Sequence, residues 1–309
     1  MVRLLTIVNN FNLINMIITP TIISLREGIE VVLIIAIMLS YLKKTNQTNL
    51  RKYVMVGTGI ALVSSLGVAI VVGLLWGIFE GPMLNIFEGS VVLIAAILLT
   101  TMILWMWKIG SSMSQEIESS MRGSIIKQSG IGLALLSFSL ILREGVELAL
   151  FSIALVIQEG YQTYIGVLLG LSIATAIGVG IYKGSLKISV RSLFKWTSVF
   201  LILFAAGMIA YGIHELQEAD LLLIGPTEVW NINPPQLPDG SYPLLSEYGA
   251  IGSLAKALFG YNGNPSALEV VAYVAYLGIA STYYWKMRTA KRTNHLETDK
   301  AVQENVSAR

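Results

Sequence analysis

A charged pattern that occurs twice inside long apolar segments is the strongest constraint on this chain. Arg26-Glu27-Gly28-Ile29-Glu30 lies within the apolar residues 17–41, and Arg143-Glu144-Gly145-Val146-Glu147 lies within residues 131–157. Each segment is long enough to cross a bilayer as a helix, which needs about 20 apolar residues. A charge at the centre of such a helix costs roughly 2.5–3.5 kcal/mol on insertion scales. Three ionisable residues in each of two matched places therefore indicate a function inside the membrane.

Helical spacing places the charges of each pattern on one side of the helix. With about 100° between successive residues, Glu30 lies about 40° and Glu27 about 100° from Arg26. Gly28 lies roughly on the opposite side, where a neighbouring helix can approach closely. If the two helices face each other, four carboxylates and two guanidinium groups meet with a net negative charge. Such a group is suited to a cation, and salt bridges that only hold the helices together are the alternative interpretation.

The doubled pattern resembles that of the high-affinity iron permease family, the oxidase-dependent iron transporters or iron/lead permeases. Three further segments resemble the family, namely Phe87-Glu88-Gly89, His214-Glu215-Leu216-Gln217-Glu218-Ala219 and Phe259-Gly260-Tyr261. The resemblance covers residues 17–288. It implies a permease that imports iron together with an iron oxidase outside the cytoplasm. The expected metal ligands are Glu27, Glu30, Glu144 and Glu147, with Arg26 and Arg143 balancing their charge.

Composition indicates a membrane protein and limits its metal chemistry. Hydrophobic residues make up 54% of the chain and charged residues 13%, whereas soluble proteins carry about 25% charged residues. The 309 residues include no cysteine and two histidines, so oxygen atoms would be the main metal ligands. Carboxylate oxygens suit hard cations, which argues against copper(I) or a zinc thiolate path. Either Met1 or Met16 could start the chain, and residues 1–15 do not resemble a cleavable signal peptide.

Seven membrane helices are predicted in an all-α fold. The expected spans are residues 17–41, 53–79, 87–107, 131–157, 164–182, 196–213 and 268–286. Basic residues without acids follow the first and fifth spans, and acidic residues dominate after the sixth. The positive-inside rule then places the N-terminus outside and the C-terminus inside. Spans one to three and four to six become inverted repeats, an arrangement in which substrates bind near the midplane.

The spans divide the chain into seven expected parts. These are an N-terminal extension (1–16), a first repeat (17–107), a cytoplasmic linker (108–130), a second repeat (131–213), an extracellular loop (214–267), a seventh helix (268–287) and a disordered cytoplasmic tail (288–309). Repeated prolines exclude long helices from the extracellular loop, although residues 251–258 are predicted to form a short amphipathic helix. Trp105 and Trp107 are interpreted as residues of the membrane interface.

Further polar residues are candidates for a pathway to and from the membrane centre. Glu88, His214, Glu215 and Glu218 lie on the predicted outer side and could collect incoming metal, although Glu88 could instead serve as a helix-dipole partner. A zinc-protease helix needs a second histidine four residues after the first, and Glu218 occupies that position. Glu116 and Glu118 could receive metal on exit, or they are a solvated pair.

The sequence therefore predicts an iron permease in the cell membrane, not an enzyme, with iron as its substrate and no resident cofactor. No phosphate-binding loop of the G-x-x-x-x-G-K-[ST] type occurs, so the membrane potential, a proton gradient or oxidation by the partner would drive transport. Manganese or lead transport is the first alternative. A membrane enzyme with a metal site and a purely structural bundle are the others. The oxidation state of the iron and the oligomeric state stay open.

Overall fold

The fold is described by a computed structural model, which covers residues 2–109, 113–182, 190–233, 237, 242–243, 246–247 and 249–307. Regular structure within these ranges is helical. The α-helices are α1 (Val2–Lys44), α2 (Arg51–Trp76), α3 (Pro82–Ile109), α4 (Met113–Ile126), α5 (Gly130–Glu159), α6 (Thr163–Tyr182), α7 (Val190–Glu218), α8 (Ala250–Phe259) and α9 (Ala267–Ser307), and a 3₁₀ turn covers Thr48–Leu50. Most of the predicted loop between the fifth and sixth spans, residues 183–189, lies outside these ranges.

Two helix ends differ from the prediction in ways that affect the candidate site. α1 begins at Val2, well before the predicted span, and contains Pro20. α7 continues to Glu218, so His214 and Glu215 lie in its last turns and not in the extracellular loop where they were predicted. The apolar pattern ends near Ile213, but the polar residues that follow still continue the helix.

The predicted linker and the predicted tail both contain helix. The linker contains α4, whose Ile117 and Met121 are buried in a cluster with residues of α1 and α5. Their spacing of four residues places both on one face of the helix. The tail was predicted to be disordered, which is wrong because α9 continues through it to Ser307. The tail contains Lys, Glu, Gln and Ala residues, which are good helix formers.

Among the residues that the structure describes, four helical segments are long and apolar enough to cross a membrane by length and composition. They are Thr48–Trp76, Pro82–Trp107, Thr163–Ile181 and Thr197–Glu218. α2 and α6 expose apolar side chains such as Leu66 and Leu168 on their outer faces, as lipid-facing helices do. α3 and α7 are more buried and contribute Val92, Leu99, Phe204 and Met208 to the largest apolar cluster. α1 and α5 carry the charged patterns in their middle and are not among the four.

The helices of the two predicted repeats pack in matched pairs. α1 packs most extensively on α6, α5 packs most extensively on α2, and α3 packs on α7. Contacts of Thr21 with Gly166 and of Val32 with Gly178 show that α1 and α6 are parallel. α2 and α5 are parallel by the contacts of Tyr53 with Gly130 and of Ser65 with Gly145.

The remaining pairs are antiparallel. Asn85 donates a hydrogen bond to Glu218 at 3.2 Å, and Leu93 contacts Gly212, so α3 and α7 have opposite directions. On α1, Ile23 shares a buried cluster with Phe151 and Leu155 of α5. Met38, further along α1, shares a cluster with Leu133 near the start of α5. These directions are the ones expected when successive membrane helices alternate in direction.

The segment after α7 folds back against the bundle. α8 packs on α1 and α7, and α9 packs on α7. Gly260 ends α8 in the left-handed conformation, with φ of 66°. Its backbone contacts Gly207, in the interior of α7, so closely that a Cβ atom at either glycine would collide with the other. Part of the predicted loop therefore lies beside the middle of a membrane helix.

Candidate metal centre

The first charged pattern is fully enclosed by protein. The side chain of Arg26 is 0% exposed, and those of Glu27 and Glu30 are each 1% exposed. Arg26 Nη1 donates a hydrogen bond to Glu27 Oε1 at 3.1 Å, and Nη2 lies 3.4 Å from Glu30 Oε1. The i,i+4 pair expected from helical spacing is therefore present. A buried arginine is tolerated here because its charge is matched by two carboxylates.

The second pattern pairs in the same way but is more accessible. Arg143 Nε lies 3.0 Å from Glu147 Oε1 and 3.9 Å from Glu144 Oε1. The side chain of Arg143 is 45% exposed, whereas Glu144 and Glu147 are each 7% exposed. The accessible end of the group is therefore the Arg143 end.

Carboxylates of the two patterns meet between α1 and α5. Oxygens of Glu27, Glu30 and Glu144 all lie within 4.8 Å of one another. A cation that binds oxygens at about 2.0–2.6 Å can contact atoms this far apart. Glu147 is not part of this trio, and its Oε1 accepts a hydrogen bond from Arg143 Nε at 3.0 Å.

Each of the four carboxylates keeps one buried oxygen that accepts no hydrogen bond from the described residues. These atoms are Glu27 Oε2, Glu30 Oε1, Glu144 Oε2 and Glu147 Oε2. Buried carboxylate oxygens normally have donors, since desolvation without a partner is costly. Glu30 Oε1 still lies 3.4 Å from Arg26 Nη2, but none of the four oxygens accepts a hydrogen bond within the described part of the chain, and such oxygens between two helices have the chemistry of an oxygen-ligated cation site.

The glycine of each pattern sits against a neighbouring helix. A Cβ atom at Gly28 would lie 2.6 Å from Ala174 Cβ on α6, and one at Gly145 would lie 2.7 Å from Ser65 Cβ on α2. Both distances are too short for real Cβ contacts. The expectation that these glycines face close neighbours is confirmed, and the absent side chains let the supporting helices approach.

Comparison with known proteins shows the family of this chain. The model of the iron permease FTR1 family matches residues 17–293. The chain belongs to this family. Among relatives, the ferrous iron permease EfeU of Yersinia pestis is 33% identical over 264 residues, which cover 84% of this chain and 89% of that protein. The ferrous iron permease EfeU of Escherichia coli O6:K15:H31 is 31% identical over 261 residues, covering 84% of this chain and 91% of that protein. No solved structure matches the chain. With its apolar helices, this family member is a multi-pass protein of the cell membrane.

Two residues of α3 that contact the arginines were missed from the sequence. The sulfur of Met102 accepts a hydrogen bond from Arg26 Nη1. The ring of Trp105 lies 5.2 Å from Arg143 Cζ, a cation–π distance. The sequence interprets Trp105 as an interfacial residue, and the contact of its ring with Arg143 is an additional feature that this interpretation did not include. The side of α3 that faces the pattern depends on tertiary packing, so local sequence gave no signal.

The predicted entry residues lie together at the adjoining ends of α3 and α7, but their oxygens are engaged separately. Trp76 Nε1 donates to Glu88 Oε1 at 2.6 Å, and Asn85 donates to Glu218. His214 lies 3.2 Å from Glu218 Oε1. Glu215 is hydrogen-bonded to Tyr211 and lies near Glu88 and Glu218. Within the described residues, these carboxylates do not converge on one point as the central trio does.

Glu269 connects His214 to the start of α9. His214 Nδ1 lies 3.1 Å from Glu269 Oε1. Glu269 also closes a capping box with Ser266: the Ser266 backbone N–H donates to Glu269 Oε1 at 3.1 Å, and the Glu269 backbone N–H donates to Ser266 Oγ at 3.2 Å. The sequence signal Ser-x-x-Glu was available and could have identified this helix start.

The predicted exit residues lie on α4. Glu116 is exposed and Glu118 is half-buried. Ser114 Oγ donates to Glu118 Oε1 at 3.3 Å, which is a contact within the same helix. These features are those of a solvated helix face.

A separate polar cluster connects parts of the chain between α7 and α9, which is called the returning segment below. Lys256 of α8 donates to Glu247 Oε2 at 3.1 Å, and Glu247 Oε1 accepts from Gly263 N at 2.7 Å and from Asn233 Nδ2 at 2.9 Å. Burial alone would raise the pKa of the Glu247 carboxyl, but Lys256 and these donors outweigh it and lower the pKa. Glu247 therefore stays ionised and ties α8 to the segments on both sides of it.

Proposed function

We propose that this chain imports iron across the cell membrane by passing it through the carboxylate centre between α1 and α5. The observation that carries the proposal is the convergence of Glu27, Glu30 and Glu144 from two helices. Family membership supports iron as the substrate, because relatives that the chain matches over most of their length are named ferrous iron permeases.

The roles of the individual residues follow from charge and geometry. Glu27, Glu30 and Glu144 supply oxygen ligands, and Glu147 becomes a fourth ligand when Arg143 releases it. Arg26 and Arg143 offset the negative charge when no iron is bound, which lowers the cost of keeping four carboxylates in the membrane. An arriving cation replaces this partial compensation, so binding needs no large rearrangement of α1 or α5.

The membrane topology is part of the proposal. α1, α2, α3, α5, α6, α7 and the first part of α9 would be seven spans, with the N-terminus outside. The alternating helix directions support two inverted repeats, since α1 and α5 are antiparallel while α1 and α6 are parallel. The carboxylate centre would then lie near the midplane. Glu88, His214, Glu215 and Glu218 would attract iron on the outer side, and Glu116 and Glu118 would meet it inside.

Iron uptake by cells that express the variants Glu30→Ala and Glu147→Ala tests the proposal. Both variants should reach the membrane in normal amount and lose uptake by at least about tenfold, since a buried charged ligand is removed. Glu80→Ala, at an exposed position between α2 and α3, is a matched control that should retain uptake. Glu30→Asp keeps the charge but shortens its reach, so an intermediate rate is expected. Normal uptake by both alanine variants would refute the carboxylate pathway.

Competition among metals tests the substrate. Iron should be taken up in preference to manganese or lead, and manganese that displaces iron at equal concentration would favour the alternative carrier. Purified protein in liposomes should move iron across the bilayer. Binding without movement would favour a membrane enzyme or a storage site instead.

We also propose that an iron oxidase outside the cytoplasm works with this permease, as the family resemblance implies. The returning segment with α8 is the surface such a partner would meet. Uptake in cells should then exceed uptake by the isolated protein in liposomes at equal iron concentration. Equal rates per molecule would remove the need for a partner.

A further inference from the structure

One face of α3 contacts both arginines of the centre. Met102 contacts Arg26 through its sulfur, and Trp105, three residues later, places its ring against Arg143. Residues three apart are neighbours on a helix surface. A single helix thus touches the sealed end and the accessible end of the carboxylate group.

The two arginines differ in how strongly the surrounding protein fixes their side chains. Arg26 is 0% exposed and is enclosed on all sides, whereas Arg143 is 45% exposed and borders the accessible end. Glu147 holds Arg143 through Nε at 3.0 Å, which fixes one edge of the guanidinium group. The indole ring is a second contact, 5.2 Å from Cζ. A guanidinium group is attracted to the face of an indole ring, so this contact favours one position of the side chain.

We propose that Trp105 is a positioning residue, which holds the Arg143 guanidinium beside Glu147 at the accessible end of the centre and keeps it from moving further in among the oxygens of Glu27, Glu30 and Glu144. Without the ring, the guanidinium can reach further among Glu144, Glu30 and Glu27. It would then compete as a counter-ion with the incoming cation, and the centre would bind that cation more weakly. This inference rests on the proposed function of the carboxylate centre as an iron pathway.

The expected effect is a change in the iron concentration needed for transport. Trp105→Leu should raise the KM for iron uptake by about threefold to tenfold, the size of a partly desolvated cation–π contact. The maximal rate per molecule in the membrane should change less. Trp105→Phe keeps an aromatic face and should restore most of the affinity.

Trp107→Leu is the matched control on the same helix. Its ring packs against Tyr284 with centroids 4.7 Å apart and contacts another part of the molecule. This substitution removes an indole of equal size, so it should leave the KM for iron near that of the wild type. If Trp105→Leu is not recovered from membranes, Trp105→Met replaces it in the series, because it also removes the ring and its flexible side chain adapts better to an irregular gap.

A double-mutant cycle with Arg143→Gln separates positioning from general packing. Trp105→Leu should have little effect when Arg143 is already replaced, because the interaction it removes no longer exists. An equal shift of KM in both backgrounds would overturn the inference. So would a Trp105→Phe variant that is no better than Trp105→Leu.

Failure of the inference and failure of the proposed function give different results. If the wild type imports iron and Trp105→Leu has an unchanged KM, only the role of Trp105 is wrong. If the wild type does not import iron, the proposed function is wrong. The role of Trp105 is then decided by Fe²⁺ binding to the detergent-purified protein: weaker binding by Trp105→Leu than by Trp107→Leu supports it, and equal affinity overturns it.

Discussion

The two charged patterns are nearly identical in sequence, yet they occupy different environments. Arg26 is completely buried, with Glu27, Glu30 and Met102 around it. Arg143 is almost half exposed and continues an exposed stripe of α5 that includes Ile131, Leu135 and Ser139. α8 packs on α1, the helix of the sealed pattern, and belongs to neither repeat. The two copies of the motif therefore carry the same chemical groups but differ in how far the surrounding protein covers them.

Removal of each arginine should give the largest difference between the two patterns. Arg26→Ala leaves two fully buried carboxylates without their partner, which should lower the free energy of unfolding by roughly 3–5 kcal/mol. Arg143→Ala removes a half-exposed group and should cost about 1 kcal/mol or less. Thermal unfolding of the detergent-purified variants measures both. Equal losses would mean that the exposures of the two arginines do not differ in the working protein.

Replacement of the glycine in each pattern by alanine should have a similar effect on stability in both patterns. Gly28→Ala and Gly145→Ala should each destabilise the protein by about 1–3 kcal/mol, because the added Cβ atoms meet Ala174 and Ser65. Ala174→Gly should rescue the first variant and Ser65→Gly the second.

The control for these variants is Gly73→Ala in α2, where an added Cβ has no neighbour within 4 Å. It should be neutral, or stabilising by up to about 1 kcal/mol, from helix propensity alone. A similar loss in all three variants would show that the contacts of α6 and α2 are not specific.

The smallest expected effect is the loss of stability of the returning segment in acid. Because the pKa of Glu247 is lowered in the folded protein, its contribution to stability is present above the usual range of glutamate titration. This contribution is lost as the pH falls through the lowered value. It should amount to less than about 1 kcal/mol, since Lys256 is partly exposed.

Protease cleavage of the returning segment at pH 7, 5 and 3.5 can follow this change. Cleavage should increase only at the lowest pH in the wild type, whereas Glu247→Gln should be cleaved readily at all three. If cleavage of Glu247→Gln increases with acid as in the wild type, another group is responsible.

Local geometry explains what the sequence could predict. The helical repeat alone places Arg26, Glu27 and Glu30 on one side of the helix. It also places Gly28 on the opposite side. The sequence could not identify α6 as the helix that Gly28 faces, because parallel packing of α1 and α6 depends on the whole bundle. The contact of Trp105 with Arg143 could not be predicted for the same reason. Glu269 was missed although its capping box with Ser266 is a local pattern, so that omission was avoidable.

Helix α4 illustrates a second reason for the differences. Its composition is too polar for a membrane span, so the sequence identifies this stretch only as a linker between two spans. Ile117 and Met121 are nevertheless buried against α1 and α5. A short amphipathic helix is stabilised mainly by what it packs on, and the surface that receives α4 exists only after the bundle has formed.

The contact between Gly207 and Gly260 limits how this protein can be recombined with its relatives. Gly207 lies 11 residues before Glu218, the end of α7, which is about 16 Å along the helix axis. The chain after α8 thus touches α7 well inside the bundle. A hybrid permease that exchanges the segment between α7 and α9 must also keep a glycine at the facing position of α7. Two parts of the chain that are more than 50 residues apart would have to be inherited together.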